Sequence, residues 1–220
     1  MKKISKNSKR SFTFIDMNTL RKARDIISFI NSKRNRFVHI LSKIYPHRDE
    51  AWLSKQSLRF ERAALLFAEN FGNESPMALV RMPGRINLLE YMDMAGGPHI
   101  SGAVDLDIIA ACGPGSAGTL EVVHWQKDLF PAEKVSLARL LDALKLAEKP
   151  KWKATVFHRP HPGREGGRWT NYLIAPFLRL LWEQERLLPE IGARIAIGPC
   201  TLPMKAGLSS SSVLTCISYK

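Results

Sequence analysis

The sequence predicts a mixed α+β domain built from packed layers of helices and strands. Apolar runs of strand length and runs with helical periodicity follow one another without a regular order along the 220 residues. Such a pattern favours a mixed layer architecture over a regular doubly wound sheet. A chain of this length buries one good hydrophobic core, or one core with an appendage. We therefore expect one main domain.

Positive charge is concentrated at the N-terminal end of the chain. Residues 1–56 hold 14 of the 33 Lys and Arg and 4 of the 20 Asp and Glu, so they carry +10 of the formal net charge of +13. A basic arm can contact nucleic acid or an anionic membrane, but a solvated tail is the commoner case. We expect a basic N-terminal extension over residues 1–56, partly helical or disordered, no nucleic-acid function, and a domain over residues 57–220.

The first elements are predicted to be helices. Residues 18–45 place isoleucine, leucine and phenylalanine among many basic residues, which indicates one or two basic amphipathic helices. From Ser57 onward, apolar residues recur at helical spacing until Gly72, which is typical of a glycine C-cap. This second pattern predicts the helix that opens the domain.

Strands and helices are both predicted in the rest of the chain. Apolar runs predict strands over residues 78–82, 104–111, 119–125 and 193–197, with a glycine-containing loop after the first of them. Leucine-rich periodic runs predict helices over residues 135–147 and 171–188. Residues 158–167 contain prolines, glycines and two histidines, and predict a surface loop instead of a metal site, because no predicted helix presents the two histidines.

The cysteines and the apolar runs indicate a cellular compartment. Cys112, Cys200 and Cys216 are widely spaced and form no C-x-x-C pair, so they indicate neither a disulfide framework nor a zinc site. No run approaches the ~18 apolar residues of a membrane span. We expect a soluble, cytoplasmic protein without a membrane partner.

Residues 203–213, Pro-Met-Lys-Ala-Gly-Leu-Ser-Ser-Ser-Ser-Val, have the composition of a phosphate-binding loop. They lie between a predicted strand and a predicted helix start. Gly207 permits a positive φ, and serines at a helix start leave N–H groups and hydroxyls for an anion. A serine-rich helix cap without a ligand is the alternative interpretation.

Residues 83–97, Pro-Gly-Arg-Ile-Asn-Leu-Leu-Glu-Tyr-Met-Asp-Met-Ala-Gly-Gly, form a second candidate site. The carboxylates of Glu90 and Asp93 suit hydrogen bonds from adjacent hydroxyls of a sugar or polyol. Arg85 carries a permanent charge and a rigid donor fork, which suit a carboxylate or a phosphoryl group in transfer. Alternatively, Arg85 pairs with Glu90 or Asp93 in an ordinary loop.

Together and in this order, the two segments resemble the first two motifs of the GHMP kinase family, most closely those of galactokinase. Residues 67–72, at the end of a predicted helix, and the Trp-Thr-Asn-Tyr run at residues 169–172 resemble further segments of that family. The resemblance extends from about residue 57 to the last residue. It implies the N-terminal domain of a GHMP kinase, a two-layer α+β fold like domain 2 of ribosomal protein S5.

The resemblance also implies an activity and a set of site residues. The activity is ATP-dependent phosphorylation of a sugar hydroxyl, giving a sugar 1-phosphate, with ATP and Mg²⁺ as cofactors. Arg85 would be catalytic, beside the transferred phosphoryl group, and Ser211 would reach Mg²⁺. The implied sugar-binding residues are Glu90, Tyr91, Met92 and Asp93. The implied ATP phosphate loop comprises Lys205, Ala206, Gly207, Leu208, Ser209, Ser210 and Ser211.

Three departures from the family pattern bear on function. No glycine separates Leu89 from Glu90, and Tyr91 and Met92 stand where the family has histidine and threonine. The sugar therefore stays open among galactose, another hexose, a heptose and a sugar acid. The family's catalytic aspartate and C-terminal kinase domain follow the second motif, so we expect a kinase truncated after the ATP loop, incomplete or inactive. A separately encoded C-terminal half would complete it. The alternatives are a non-catalytic sugar- or ATP-binding sensor or partner protein, and a degenerate remnant.

Overall fold

The computed structural model describes residues 20–89, 100–145, 168–184, 190–203 and 207–218. Their strands are β1 (Arg21–Lys22), β2 (Pro76–Leu89), β3 (Ile100–Pro114), β4 (Thr119–His124), β5 (Glu133–Ser136) and β6 (Ala193–Ile197). Their helices are α1 (Ala23–Ser32), α2 (Arg34–Ile44), α3 (Glu50–Phe71), α4 (Leu137–Lys145), α5 (Asn171–Glu183) and α6 (Ser210–Ile217).

The strands form one mixed sheet in the order β1-β2-β3-β6-β4-β5. Neighbouring strands are antiparallel except β4 and β6, which run parallel. β6 is the last described strand in sequence, yet it lies between β3 and β4. The loop that leaves β6 toward α6 therefore starts from the middle of the sheet.

The sheet is covered by helices on both faces. Along β3, Ile108 and Ala110 pack in the cluster that contains residues of α4, α5 and α6, whereas Ile109 and Ala111 pack in clusters with α1 to α3. This alternation follows from the two-residue period of a strand. The mixed α+β class is confirmed, and the helices α1 to α3 add a layer to the two that the resemblance implies.

The predicted N-terminal helices are present as α1 and α2, and their apolar faces are buried against α3 and the sheet. Ile30, Phe37 and Leu41 belong to the same cluster as Phe60 of α3 and Ile109 of β3. These contacts identify the packing partner of the two amphipathic patterns, which the sequence pattern alone did not give.

Helix α3 is longer than the sequence pattern predicts. It begins at Glu50 instead of near Ser57, because the carboxylate of Asp49 accepts a hydrogen bond from the backbone N–H of Trp52 at 2.7 Å and caps the first turn. The predicted C-cap is confirmed at Gly72, whose φ of 98° favours glycine.

Two predicted boundaries were wrong. The loop expected after Met82 is strand, because β2 continues to Leu89 and pairs with β3; irregular register between Pro83 and Arg85 accommodates the proline and the glycine. The helix expected from residue 135 begins at Leu137, since Val135 pairs with Leu120 in the ladder between β4 and β5.

Other sequence expectations concern cysteines, membranes and the histidine-containing segment. Cys112, Cys200 and Cys216 carry free thiols. Within the described ranges, none of the helices combines the length and the apolar character that crossing a membrane requires. The loop predicted over residues 158–167 lies outside the described residues.

Candidate functional site

The two candidate motifs meet where β2 passes the loop before α6. The backbone N–H of Arg85 donates a hydrogen bond to the carbonyl oxygen of Leu208 at 3.2 Å. Gly84 makes this approach possible, because a Cβ atom there would collide with Leu202 Cδ1 and lie 3.3 Å from the carbonyl oxygen of Leu208. Residues more than a hundred positions apart in sequence are therefore neighbours in the fold.

The N-terminus of α6 has the geometry of an anion-binding site. Gly207 and Ser209 both have positive φ, 72° and 58°, and the side chain of the N-cap residue Ser209 makes no capping hydrogen bond. The first carbonyl to receive an α-helical bond is that of Ser209, from the N–H of Val213 at 3.0 Å. The N–H groups of the first turn therefore have no carbonyl partner within the helix and, with the helix dipole, favour a negatively charged ligand.

A largely apolar cavity of about 230 Å³ lies beside this helix N-terminus. Three of its wall residues are rings in mutual contact, with centroids 4.3 Å apart for His124 and Phe130, 5.4 Å for His124 and Trp169, and 5.7 Å for Phe130 and Trp169. The cavity is lined by these rings together with Ile197, Leu202 and Ser210, among others. Because Ser210 is the first residue of α6, a flat apolar group in the cavity can be joined directly to an anion at the helix.

His124 is neutral in this wall. Burial lowers its pKa to about 4. Nδ1 accepts a hydrogen bond from the backbone N–H of Gln126 at 3.0 Å, which the neutral ring alone can do. Since Nδ1 accepts, the ring proton is assigned to Nε2. The cavity therefore presents a neutral heteroaromatic ring with one N–H donor.

A buried ionic cluster around Asp107 holds the segment that leads from β6 to the loop. Asp107 is fully buried and accepts hydrogen bonds from Arg59 Nη2 at 2.7 Å, from Arg81 Nε at 2.6 Å and from the hydroxyl of Tyr45. Burial, followed by the hydrogen bond to Asp107, raises the pKa of Tyr45.

The same cluster reaches the chain just before the loop. Arg59 also donates to the carbonyl oxygen of Pro199, through Nε at 3.1 Å and Nη2 at 2.9 Å, and the hydroxyl of Thr201 accepts from the N–H of Asp107 at 3.0 Å. The start of the 203–213 loop is therefore fixed to β3 and α3.

The structure brings some of the predicted site residues together. Arg85 is exposed on β2, and its guanidinium makes no ion pair with any residue that the structure describes. Gly207, Leu208, Ser209, Ser210 and Ser211 form the loop end and first turn of α6 beside it. Six further predicted residues lie outside the described residues: Glu90, Tyr91, Met92, Asp93, Lys205 and Ala206. Their roles stay predictions.

Sequence reasoning missed His124, Phe130 and Asp107. A charged residue inside the apolar run 104–111 was a usable signal for Asp107, because a charge within a buried strand requires partners. No local signal marks His124 or Phe130 as cavity residues, because Trp169 and Ser210, which complete the cavity wall, come from distant parts of the chain.

The described residues fit a nucleotide better than they fit a metal ion. The helix N-terminus suits phosphate, and the adjoining ring-lined cavity suits a heterocyclic base. Among the residues that the structure describes, no group of three or more His, Cys, Asp or Glu could hold a metal ion. The hydroxyl of Ser211 is one potential oxygen ligand, and one hydroxyl does not make a binding site for Mg²⁺.

Comparisons with known proteins find similarity to galactokinases. The family model described as the galactokinase galactose-binding signature matches residues 65–114. A galactokinase of Candida parapsilosis is 24% identical over 161 residues, which make up 72% of this chain and 28% of that protein.

A solved galactokinase structure shows the fold. The crystal structure of Lactococcus lactis galactokinase complexed with galactose is 22% identical with a TM-score of 0.50, covering 70% of this chain and 34% of that one. The Methanococcus jannaschii mevalonate kinase structure is 16% identical with a TM-score of 0.41, covering 63% of this chain and 37% of that one.

The match to these relatives is therefore partial, because this chain spans only about a third of the length of each. It includes β2 and β3, where the galactose-binding signature lies, and the fold around them. The chain thus contains a galactokinase-like N-terminal region of the GHMP kinase type.

Proposed function

We propose that this chain provides the sugar- and ATP-binding region of a galactokinase-like sugar kinase, which transfers the γ-phosphoryl group of ATP to a sugar hydroxyl. The galactose-binding signature over residues 65–114 and the galactokinase relatives support the sugar kinase assignment. In this proposal, residues 207–211 hold the ATP phosphates. The residues proposed to bind the sugar are Glu90, Tyr91, Met92 and Asp93.

The observation that carries this proposal is the hydrogen bond between the N–H of Arg85 and the carbonyl of Leu208. It joins the strand that leads to the proposed sugar-binding residues with the helix start that suits phosphate. A kinase needs this proximity, because phosphoryl transfer depends on holding the two substrates in line. The exposed guanidinium of Arg85 then supplies positive charge at the junction.

The cavity beside Ser210 is the proposed site of the nucleotide base. Its ring-lined wall gives stacking and edge contacts to a flat heterocycle, and its position next to α6 allows the phosphates to reach the first-turn N–H groups. In the reaction, a sugar hydroxyl oxygen bonds to the γ-phosphorus while the bond from that phosphorus to the β,γ-bridging oxygen breaks. ADP keeps the electron pair, and the hydroxyl proton leaves to a base.

The test is sugar-dependent ADP release with galactose, other hexoses, a heptose and a sugar acid, measured for the purified chain alone and mixed with any separately encoded C-terminal half, followed by mass spectrometry of the sugar product. We expect one sugar class to give a sugar phosphate in the mixture. Arg85→Ala should lower kcat by about 10²- to 10³-fold, the range for losing one preorganised charge-stabilising donor. Arg62→Ala, at an exposed arginine of α3, is the matched control and should leave kcat unchanged.

Binding measurements separate the competing functions. Saturable binding of ATP and sugar without ADP release, both by the chain alone and in the mixture, would reject the kinase and favour the non-catalytic sensor. Absence of both binding and turnover would reject both.

A further inference from the structure

We propose that Glu133 is a positioning residue of the base-binding cavity, an inference that rests on the proposed function. The carboxylate of Glu133 binds the residues before and after Trp169, and so keeps the ring of Trp169 in place. Glu133 lies on β5 and does not itself line the cavity. Its effect on a nucleotide therefore has to pass through the ring of Trp169.

Both carboxylate oxygens of Glu133 accept hydrogen bonds. Oε1 accepts a hydrogen bond from Arg168 Nη1 at 2.9 Å, and Oε2 accepts one from the hydroxyl of Thr170. The Glu133 side chain is only 13% exposed, and Thr170 is fully buried. Because Arg168 and Thr170 flank Trp169, these two bonds attach the side chains on either side of Trp169 to the same carboxylate.

The rings of Trp169 and His124, which form two walls of the cavity, are thereby attached to the same pair of strands, β4 and β5. Glu133 pairs with Val122 in the antiparallel ladder of β4 and β5, and His124 is the last residue of β4. The ring of Trp169 meets the ring of His124 edge-on at a centroid distance of 5.4 Å. Glu133 thus sets the spacing of the Trp169 wall from the His124 wall.

Helix α5 favours a negative charge at this position. Thr170 is the N-cap residue of α5, and its carbonyl accepts the N–H of Ile174 at 3.0 Å, but its side chain caps no helix N–H. The hydroxyl donates to Glu133 instead, which brings the carboxylate to the positive end of the helix dipole. The guanidinium of Arg168 adds a second positive partner, so the charged form of Glu133 is the one that holds the wall.

A fixed wall increases affinity because the ligand does not have to order it. If the hydrogen bonds of Glu133 with Arg168 and Thr170 are lost, Trp169 must be immobilised when the base binds. Ordering one large side chain corresponds to a loss of affinity of about 3- to 10-fold. In the proposed function the phosphates bind the N–H groups at the start of α6 and not Trp169, so their contribution should not change.

Isothermal titration calorimetry of the full chain tests this with three ligands: ATP, adenosine and tripolyphosphate. We expect Glu133→Ala to raise the Kd of ATP and of adenosine by about 3- to 10-fold and to leave that of tripolyphosphate unchanged. Glu133→Gln, which keeps the shape but not the charge, should fall between wild type and Glu133→Ala. Glu121→Ala is the matched control: Glu121 is also a partly buried carboxylate with two basic partners, Lys134 at 3.3 Å and Arg194 at 3.5 Å, but lies outside the cavity wall.

A second readout does not depend on ATP binding. In chain labelled with 5-fluorotryptophan, the ¹⁹F signal of Trp169, identified by its loss in Trp169→Phe, should broaden or split in Glu133→Ala but not in Glu121→Ala. If wild-type chain binds no ATP while the Trp169 signal responds as expected, the proposed function fails and the positioning role stands. An unchanged Trp169 signal, or an equal loss of affinity for tripolyphosphate and adenosine, overturns the inference.

Discussion

Replacing Gly84 with alanine should separate the two motifs that the fold brings together. The new methyl group would collide with Leu202 Cδ1, and it would lie 3.1 Å from Val104 Cγ2 and 3.3 Å from the carbonyl oxygen of Leu208. Leu202 is 3% exposed and lines the cavity beside α6, so a shift of its side chain enters the proposed base site. Otherwise β2 has to move away from the loop, which lengthens the hydrogen bond between Arg85 and Leu208.

The expected magnitude follows from the cost of overpacking a filled site, about 1–3 kcal/mol. For a protein of this size, each kcal/mol lowers Tm by about 2–4 °C, so we expect a decrease of about 2–12 °C. The loop before α6 is displaced in the same step. If about 1.4 kcal/mol of this strain falls on the ligand-binding conformation, the Kd for ATP rises about tenfold.

Thermal unfolding followed by circular dichroism and calorimetric ATP titration measure the two effects. Gly102→Ala is the matched control, because Gly102 lies on the neighbouring strand β3 and, within the described part of the chain, a Cβ atom there meets Ile86 Cγ2 alone, at the ordinary contact distance of 3.9 Å. We expect this control to change neither quantity appreciably. Equal Tm and ATP affinity in the two variants would refute the close approach of β2 to the loop.

Three further variants test the buried polar groups. Asp107→Asn leaves Arg59 and Arg81 without their buried counter-charge and should lower the free energy of unfolding by about 3–5 kcal/mol in urea denaturation; a change below ~1 kcal/mol would contradict this role. Burial lowers the pKa of His124 to about 4, so the stability that its neutral ring contributes is present above about pH 6.5 and is lost as the pH falls toward 4. Over that interval the free energy of unfolding of wild type should fall by about 3 kcal/mol more than that of His124→Gln. Parallel pH profiles of the two proteins would argue against this role. Burial and Asp107 raise the pKa of Tyr45, so its contribution is present below about pH 10 and lost as the pH rises further; Tyr45→Phe should reduce this alkaline loss in pH-dependent unfolding, and an unchanged slope would disprove it.

The parts of the fold that the sequence predicted are those with a clear local period. Helices α1 and α2 and strand β6 follow from their spacing of apolar residues. The continuation of β2 was missed because Pro83 and Gly84 are local signals for a loop, whereas pairing with β3 decides the conformation. Long-range pairing has no signature in a short window of sequence.

The candidate site was predictable to a similar extent. The chemistry of Arg85 and of the serine-rich helix start could be inferred from residue types, and the family resemblance gave their order along the chain. Their contact depends on the sheet order, in which β3 alone separates β6 from β2, so that the loop after β6 contacts β2 at Arg85. The cavity was not predictable, because His124, Trp169 and Ser210 come from three distant segments.

The cluster around Asp107 has a consequence for how the chain opens. The carboxylate of Asp107 accepts hydrogen bonds from Tyr45, which directly follows α2, from Arg59 of α3 and from Arg81 of β2. The backbone N–H of Asp107 donates to the hydroxyl of Thr201, which precedes the loop. Breaking any of these contacts leaves a buried charge less well paired, so the segments have little tendency to open one at a time. In hydrogen exchange, the amides of α2 and that of Thr201, which is bonded to the carbonyl of Asp107, should therefore exchange as one cooperative unit. The N-terminal helices would then share the opening free energy of the segment that leads into the loop.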